Sequence, residues 1–102
     1  MTNDKILSMI GLAKRANKVS GGEFICKKAI KSGYAKLAIL AEDASENTKK
    51  SILNSCNYYK VKAVEFADME SLGKYSGGGQ RAVICVNDKN LAEAIIKLIN
   101  NA

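Results

Sequence analysis

The chain has 102 residues, no proline, no histidine, three cysteines and a formal net charge of +6. That length suits a single domain, and its longest apolar runs, such as Leu37 to Ala41, fall far short of the ~20 residues of a membrane span. Without histidine, and with Cys26, Cys56 and Cys85 lacking any C-x-x-C spacing, triad, zinc and disulfide chemistry are all disfavoured; a soluble, cytoplasmic, non-catalytic protein with no cofactor and three buried thiols is expected.

In chain order, Ile6, Ile10 and Ala13 recur at helical spacing behind Thr2 and Asn3 as caps, which predicts a first helix over residues 4–17. A second helix starts near Gly22 and stops at Gly33, a residue favoured in the left-handed position that ends helices. Leu37–Leu40 reads as a buried strand. A third helix follows, with Ser45 as its cap and Glu42, Asp43 and Glu46 complementing its positive end. Residues 61–66 form a second strand, residues 69–75 a short helix, Gly78-Gly79-Gln80 part of a connecting loop, and residues 81–86 a third strand. The last helix takes Asn87 or Asp88 as cap and carries the apolar stripe Leu91, Ile95, Leu98 and Ile99. Alternating helices and strands predict a central sheet covered by helices on both faces.

The charge is unevenly placed. Residues 1–36 hold eight basic side chains against two acidic ones, whereas residues 37–102 hold eight of each. A basic excess confined to one third of a domain suits a polyanionic partner, since phosphate neutralisation releases counterions. On a helical wheel Ile25, Cys26, Ala29 and Ile30 share one arc, and Lys27, Lys28 and Lys31 gather opposite, with Phe24 among them. Entered through Gly21 and Gly22, this is either an ordinary amphipathic helix with a solvated lysine side or a surface for RNA. In the second case lysines, with Lys18, meet phosphates, the glycines allow close backbone approach, and Phe24 stacks on a base. The charge asymmetry favours RNA. A small-molecule phosphate loop is disfavoured, because the segment matches neither G-x-x-x-x-G-K-[ST] nor G-x-G-x-x-G.

Three longer stretches, GLAKRANKVSGGE at residues 11–23, AIKSGYAKLAILAEDASENTKK at residues 29–50 and LGKY before AVICVND, resemble the ribosomal protein L7Ae family in matching order over nearly the whole chain. The likeness is to its small bacterial members. It implies a three-layer α-β-α sandwich with a central mixed four-stranded sheet, and non-catalytic binding of kink-turn or other structured RNA, often ribosomal; a monomer is expected. Gly22 and Lys28 match the family's glycine and lysine at the start of the second helix. Phe24 and Ile25 stand where the family has the Asn and Glu that read base edges, so the usual kink-turn readout does not carry over residue for residue. The resemblance also implies apolar RNA contacts from Ala67 and Met69, and an approach to an extruded nucleotide by Ser45 and Lys49. The absent Asn and Glu leave a second role open, as a protein-interaction module of a ribonucleoprotein complex.

Overall fold

A computed structural model describes residues 2–101 of the chain. Its first helix, α1 (Thr2–Arg15), starts two residues earlier than the periodicity predicts and buries Ile6, Ile10 and Ala13. The capping expected of Thr2 and Asn3 rests on side chains outside the described ones. Asn17 adopts φ 62° and turns the chain into β1 (Val19–Gly21). No sequence pattern announces this strand, because three residues containing a glycine leave no room for an alternating signature.

Gly22 then precedes α2 (Glu23–Lys31), which ends as expected where Gly33 adopts φ 81°. β2 (Leu37–Leu40) leads to α3 (Glu46–Tyr59), whose cap is Ser45; its Oγ accepts from the Thr48 N–H at 3.2 Å. β3 (Lys62–Glu65) is followed by α4 (Met69–Tyr75), capped by Asp68, and β4 (Val83–Val86) by α5 (Lys89–Asn100). Of the two cap candidates for α5, Asp88 is used; its carboxylate accepts from the Leu91 N–H at 2.9 Å. β2 keeps its expected bounds, β3 is one residue shorter at each end, and Arg81 and Ala82 lie in the approach to β4 rather than within it.

The strands lie in the order β1-β4-β2-β3, with β4 antiparallel to both β1 and β2, and β2 parallel to β3. β2 and β4 occupy the centre and are buried along their whole length, which explains their unbroken apolar sequence. Side chains alternate between two cores. Leu37, Ile39, Ile84 and Val86 face α1, α4 and α5, while Ala38, Leu40, Val83 and Cys85 face α2 and α3. The architecture is a three-layer α-β-α sandwich around a mixed four-stranded sheet.

The three cysteines, remote in sequence, meet in the second core. Cys26 comes from α2, Cys56 from α3 and Cys85 from β4, and all three are free thiols. Cys85 Sγ lies 4.0 Å from the Cys26 carbonyl, and Cys26 Sγ lies 3.6 Å from the Ser20 carbonyl. Burial, with the neighbouring Cys26 adding to it, pushes the Cys56 thiol up to about 11. The Cys85 thiol is also raised, first by its hydrogen bond with Cys26 and then by burial. Among the described residues no group of three His, Cys, Asp or Glu side chains is placed to hold a metal ion, and no helix is long and apolar enough to cross a membrane.

Candidate nucleic-acid interface

The strand directions bring four connections to one end of the sheet. β1, β2 and β3 end there and β4 begins there, as the pairs Gly21 with Ile84, Leu40 with Val83, and Leu40 with Glu65 require. The β1–α2, β2–α3, β3–α4 and α4–β4 connections are therefore neighbours. Backbone hydrogen bonds tie them together: Ala41 N–H donates to the Ala82 carbonyl (2.8 Å), Glu42 N–H to Ala67 (2.7 Å), Arg81 N–H to Met69 (3.0 Å) and Gly22 N–H to Val83 (3.0 Å). Side chains add to the framework, with Thr48 Oγ1 donating to Glu23 Oε1 at 3.0 Å and the Met69 N–H donating to Asp43 Oδ1 at 2.9 Å. Gly21, Gly22, Phe24, Ser45, Ala67 and Met69 from the expected set all lie at this end.

The β1–α2 connection depends on glycine. Gly22 holds φ 95° and ψ 151°, a region open essentially only to glycine, and offers α2 no side-chain cap. The first N–H groups of the helix, which have no intrahelical partner in any α-helix, therefore receive no cap side chain at the positive end of its dipole. Phe24, in the first turn, is 73% exposed. Lys28, one turn on, places Nζ 5.5 Å from the centre of its ring, a cation–π contact that steadies an exposed aromatic group. Lys27, Lys28 and Lys31 are all exposed and continue the same side of α2, at helical spacings of one, three and four. Lys27 donates to Ser51 Oγ at 2.6 Å, which holds it toward α3 with its charge unneutralised. The one ion pair among the described residues lies elsewhere, between Lys49 and Glu65.

Several expected positions are arranged differently. Lys49 Nζ is 3.3 Å from Glu65 Oε1 and also donates to the Glu42 carbonyl at 2.8 Å, so its charge is already spent inside the protein. Lys18 is exposed but lies beside Asn87, whose N–H donates to the Lys18 carbonyl at 2.7 Å; the length of β1 separates it from Gly22. Ile25 leaves the buried arc on which the helical wheel puts it and is 48% exposed. It lines a shallow groove of about 370 Å³ with Ser20, Lys28, Ala29, Ser32 and Tyr34, because β1 is an edge strand with no neighbour to cover that flank of α2. Asp43 serves the first turn of α4 rather than that of α3. Ala67 sits at φ 63°, and both it and Met69 are half-buried against the first core.

One charged residue at this end carried no expectation from the sequence. Arg81 lies two residues before β4, and its guanidinium occupies the space beside Gly21, Gly22 and Gly78. A lone arginine after a glycine run carries no motif. The only signal was the run itself, whose glycines clear the space that the side chain fills.

This constellation, a sandwich with a basic helix side and four joined loops at one end of a mixed sheet, defines an α/β binding domain. The chain belongs to the ribosomal protein L7Ae/L30e/S12e/Gadd45 family, whose model matches residues 4–97. It is 41% identical over 92 residues to the RNA-binding protein YlxQ of Bacillus subtilis strain 168, covering 90% of this chain and 92% of that one. It is 35% identical over 95 residues to the RNA-binding protein YlxQ of Enterococcus faecium, covering 93% and 91%. A solved structure of a protein of unknown function from Bacillus halodurans C superposes with a TM-score of 0.90 at 35% identity, over 94% of this chain and 97% of the other. The 15.5kD RNA binding protein of Giardia lamblia shares the fold, with a TM-score of 0.77 at 17% identity over 98% and 86%.

Proposed function

We propose that this protein is a monomeric, cytoplasmic, non-catalytic binder of structured RNA, kink-turn-like or ribosomal, acting in translation or on the ribosome. The observation that carries the reading is the exposed stripe of Lys27, Lys28 and Lys31, with no carboxylate paired to any of them among the described residues, beside exposed Phe24 and the open Gly21–Gly22 backbone. Lysines there neutralise phosphates, Phe24 offers a face for base stacking worth about 1–3 kcal/mol, and Gly22 admits close backbone approach. Lys31 extends the stripe, and Lys18 reaches only a strand that continues past the far end of β1. Ser45, Ala67 and Met69 form the adjoining rim, whereas Lys49 is committed to Glu65 and Glu42. The relatives named as RNA-binding proteins support the same reading. Phe24 and Ile25 replace the family's polar base readers, so recognition leans on backbone shape and stacking more than on base edges.

The test is titration of a fluorescent RNA hairpin with an internal loop at several salt concentrations. Log affinity is expected to fall by roughly 0.7–0.9 per phosphate contact per log unit of salt. Replacing Lys27 and Lys28 together by alanine is expected to weaken binding to all RNA sequences alike and to flatten that slope by about 1.5. A double variant that binds like the parent assigns the contact to another face.

A second reading, docking of an acidic protein segment within a ribonucleoprotein complex, is favoured by the groove beside Ile25 and Tyr34, which are 48% and 54% exposed. Submicromolar binding to naked RNA excludes it as the sole role.

A further inference from the structure

Four further connections meet at the other end of the sheet. They are α1–β1 (residues 16–18), α2–β2 (32–36), α3–β3 (60–61) and β4–α5 (87–88), brought together because Val86 pairs with both Val19 and Leu37, and Leu37 with Lys62. Backbone hydrogen bonds join them, with the Asn87 N–H donating to the Lys18 carbonyl at 2.7 Å and the Lys36 N–H to the Val86 carbonyl at 2.8 Å. The fold sorts charge between the two ends. Every acidic residue from Glu23 to Glu70 lies in a loop, strand end or first helical turn at the end that carries the β1–α2 connection. The connections at the opposite end hold only Asp88, whose carboxylate is occupied in capping α5. Lys18, Lys36, Lys60, Lys62 and Lys89 stand at this opposite end, all exposed and none paired with a carboxylate among the described residues. Lys60, Lys62 and Lys89 come from the part of the chain that has no net charge as a whole, so the excess here is made by folding and is absent from the linear sequence. Lys36 Nζ donates to the Gly33 carbonyl at 2.9 Å, which steadies it and leaves its charge unneutralised.

Tyrosines accompany the lysines. Tyr34, in the α2–β2 connection, is 54% exposed; Tyr58, in the last turn of α3, is 76% exposed and meets Tyr59 edge-on at 4.8 Å between ring centres. Rings left so far out of the core add little to folding. Adjacent strands lie about 4.8 Å apart, so the row from Lys18 across to Lys62 spans roughly 14 Å. We propose that this end of the sheet is a second RNA-binding surface, which takes a single-stranded segment alongside the structured RNA of the first interface. A strand of RNA offers one charge and one flat ring per nucleotide, and the unpaired lysines with Tyr34, Tyr58 and Tyr59 offer the counterparts. An acidic peptide matches the charge but leaves the rings without stacking partners. The two surfaces occupy opposite ends of the sheet in a molecule with extents of 32 × 26 × 24 Å, so the protein holds two RNA segments at once. Binding here goes beyond the first interface and does not require it.

The experiment uses the full chain with a fluorescein-labelled RNA hairpin carrying an internal loop and a Cy5-labelled octauridylate, read by energy transfer between the labels and by titration of each RNA alone across salt concentrations. With the hairpin saturating, the octauridylate is expected still to bind and to give energy transfer. K36Q/K60Q/K62Q is expected to bind the octauridylate about tenfold or more weakly, with the salt slope lower by about 2, at roughly 0.7 per lost contact on a single strand, and to bind the hairpin within about twofold of the parent. Y58A is expected to bind the octauridylate about fivefold or more weakly at an unchanged slope, because it removes a stacking face and no charge. Competition between octauridylate and hairpin for one site, or parental octauridylate binding in the triple variant or in Y58A, overturns the proposal and leaves the first interface standing. Octaglutamate binding more tightly than octauridylate assigns the surface to an acidic protein segment and overturns it likewise. A parent that binds octauridylate through these lysines and does not bind the hairpin overturns the first interface and leaves this one. If the triple variant does not fold, K60Q and Y58A decide, and parental octauridylate affinity in both rejects the surface.

Discussion

At the scale of single residues, two helical glycines show how far local propensity reaches. Alanine in place of a helical glycine ordinarily gains roughly 0.5–1 kcal/mol from reduced chain entropy. Gly11, inside α1, has room for it: an added Cβ would meet its nearest atom, Arg15 Nη1, at 3.7 Å, an ordinary contact. Gly73, inside α4, has none, since the same atom would stand 1.6 Å from the Gly79 carbonyl oxygen. Gly11→Ala is therefore expected to raise the urea midpoint, by a stability gain of about 0.5 kcal/mol or more, and Gly73→Ala to lower it by ~3 kcal/mol or more. Both substitutions read alike in the sequence. What separates them is the glycine loop folding back over α4, a contact between residues that no helical periodicity describes. The place of Arg81 was hidden for the same reason, as the room for its side chain comes from Gly21, sixty positions earlier.

At the scale of elements, most of the architecture was legible because each segment states its own preference. The Ser45 cap, the stop at Gly33 and the fully apolar Leu37–Leu40 all form as their local chemistry predicts. Asp43 and Ile25 do not. The first is drawn off by the Met69 N–H of another helix, and the second is uncovered by the edge position of β1. The end of α3 carries a cost of its own: Lys60 closes it at φ 62° and ψ 42°, a left-handed conformation in which a Cβ crowds the backbone. Relief of that crowding, about 1–2 kcal/mol, exceeds the added flexibility of a glycine in the unfolded chain. Lys60→Gly is expected to stabilise the protein by roughly 0.5–1 kcal/mol, read as a higher denaturation midpoint with an unchanged slope.

At the scale of the whole molecule, the two cores have different chemistry. The side under α2 and α3 gathers all three thiols. The Cys56 thiol titrates near 11 when folded, against an ordinary 9.0. Below about pH 9 neither state ionises it and folding is unaffected; above that the unfolded chain releases its proton first, so stability falls as pH rises through this window. Thermal unfolding followed from pH 8 to pH 11 is expected to show that decline, and Cys56→Ser to lessen it. Ellman's reagent at pH 8 is expected to label the native protein slowly and all three cysteines at once in denaturant.

The amino-acid sequence by itself determined the helices, the central strands, the layered class and the basic excess of the first third, because periodicity, capping and composition act over a few neighbouring residues. Tertiary structure alone decided which charges remain available. The strand order β1-β4-β2-β3 brings connections from four parts of the chain to one end, pairs Lys49 with Glu65, moves Lys18 to the far end of β1 and seats Arg81 among glycines. Those outcomes depend on contacts between residues distant in sequence, whose geometry is set only when the sheet closes.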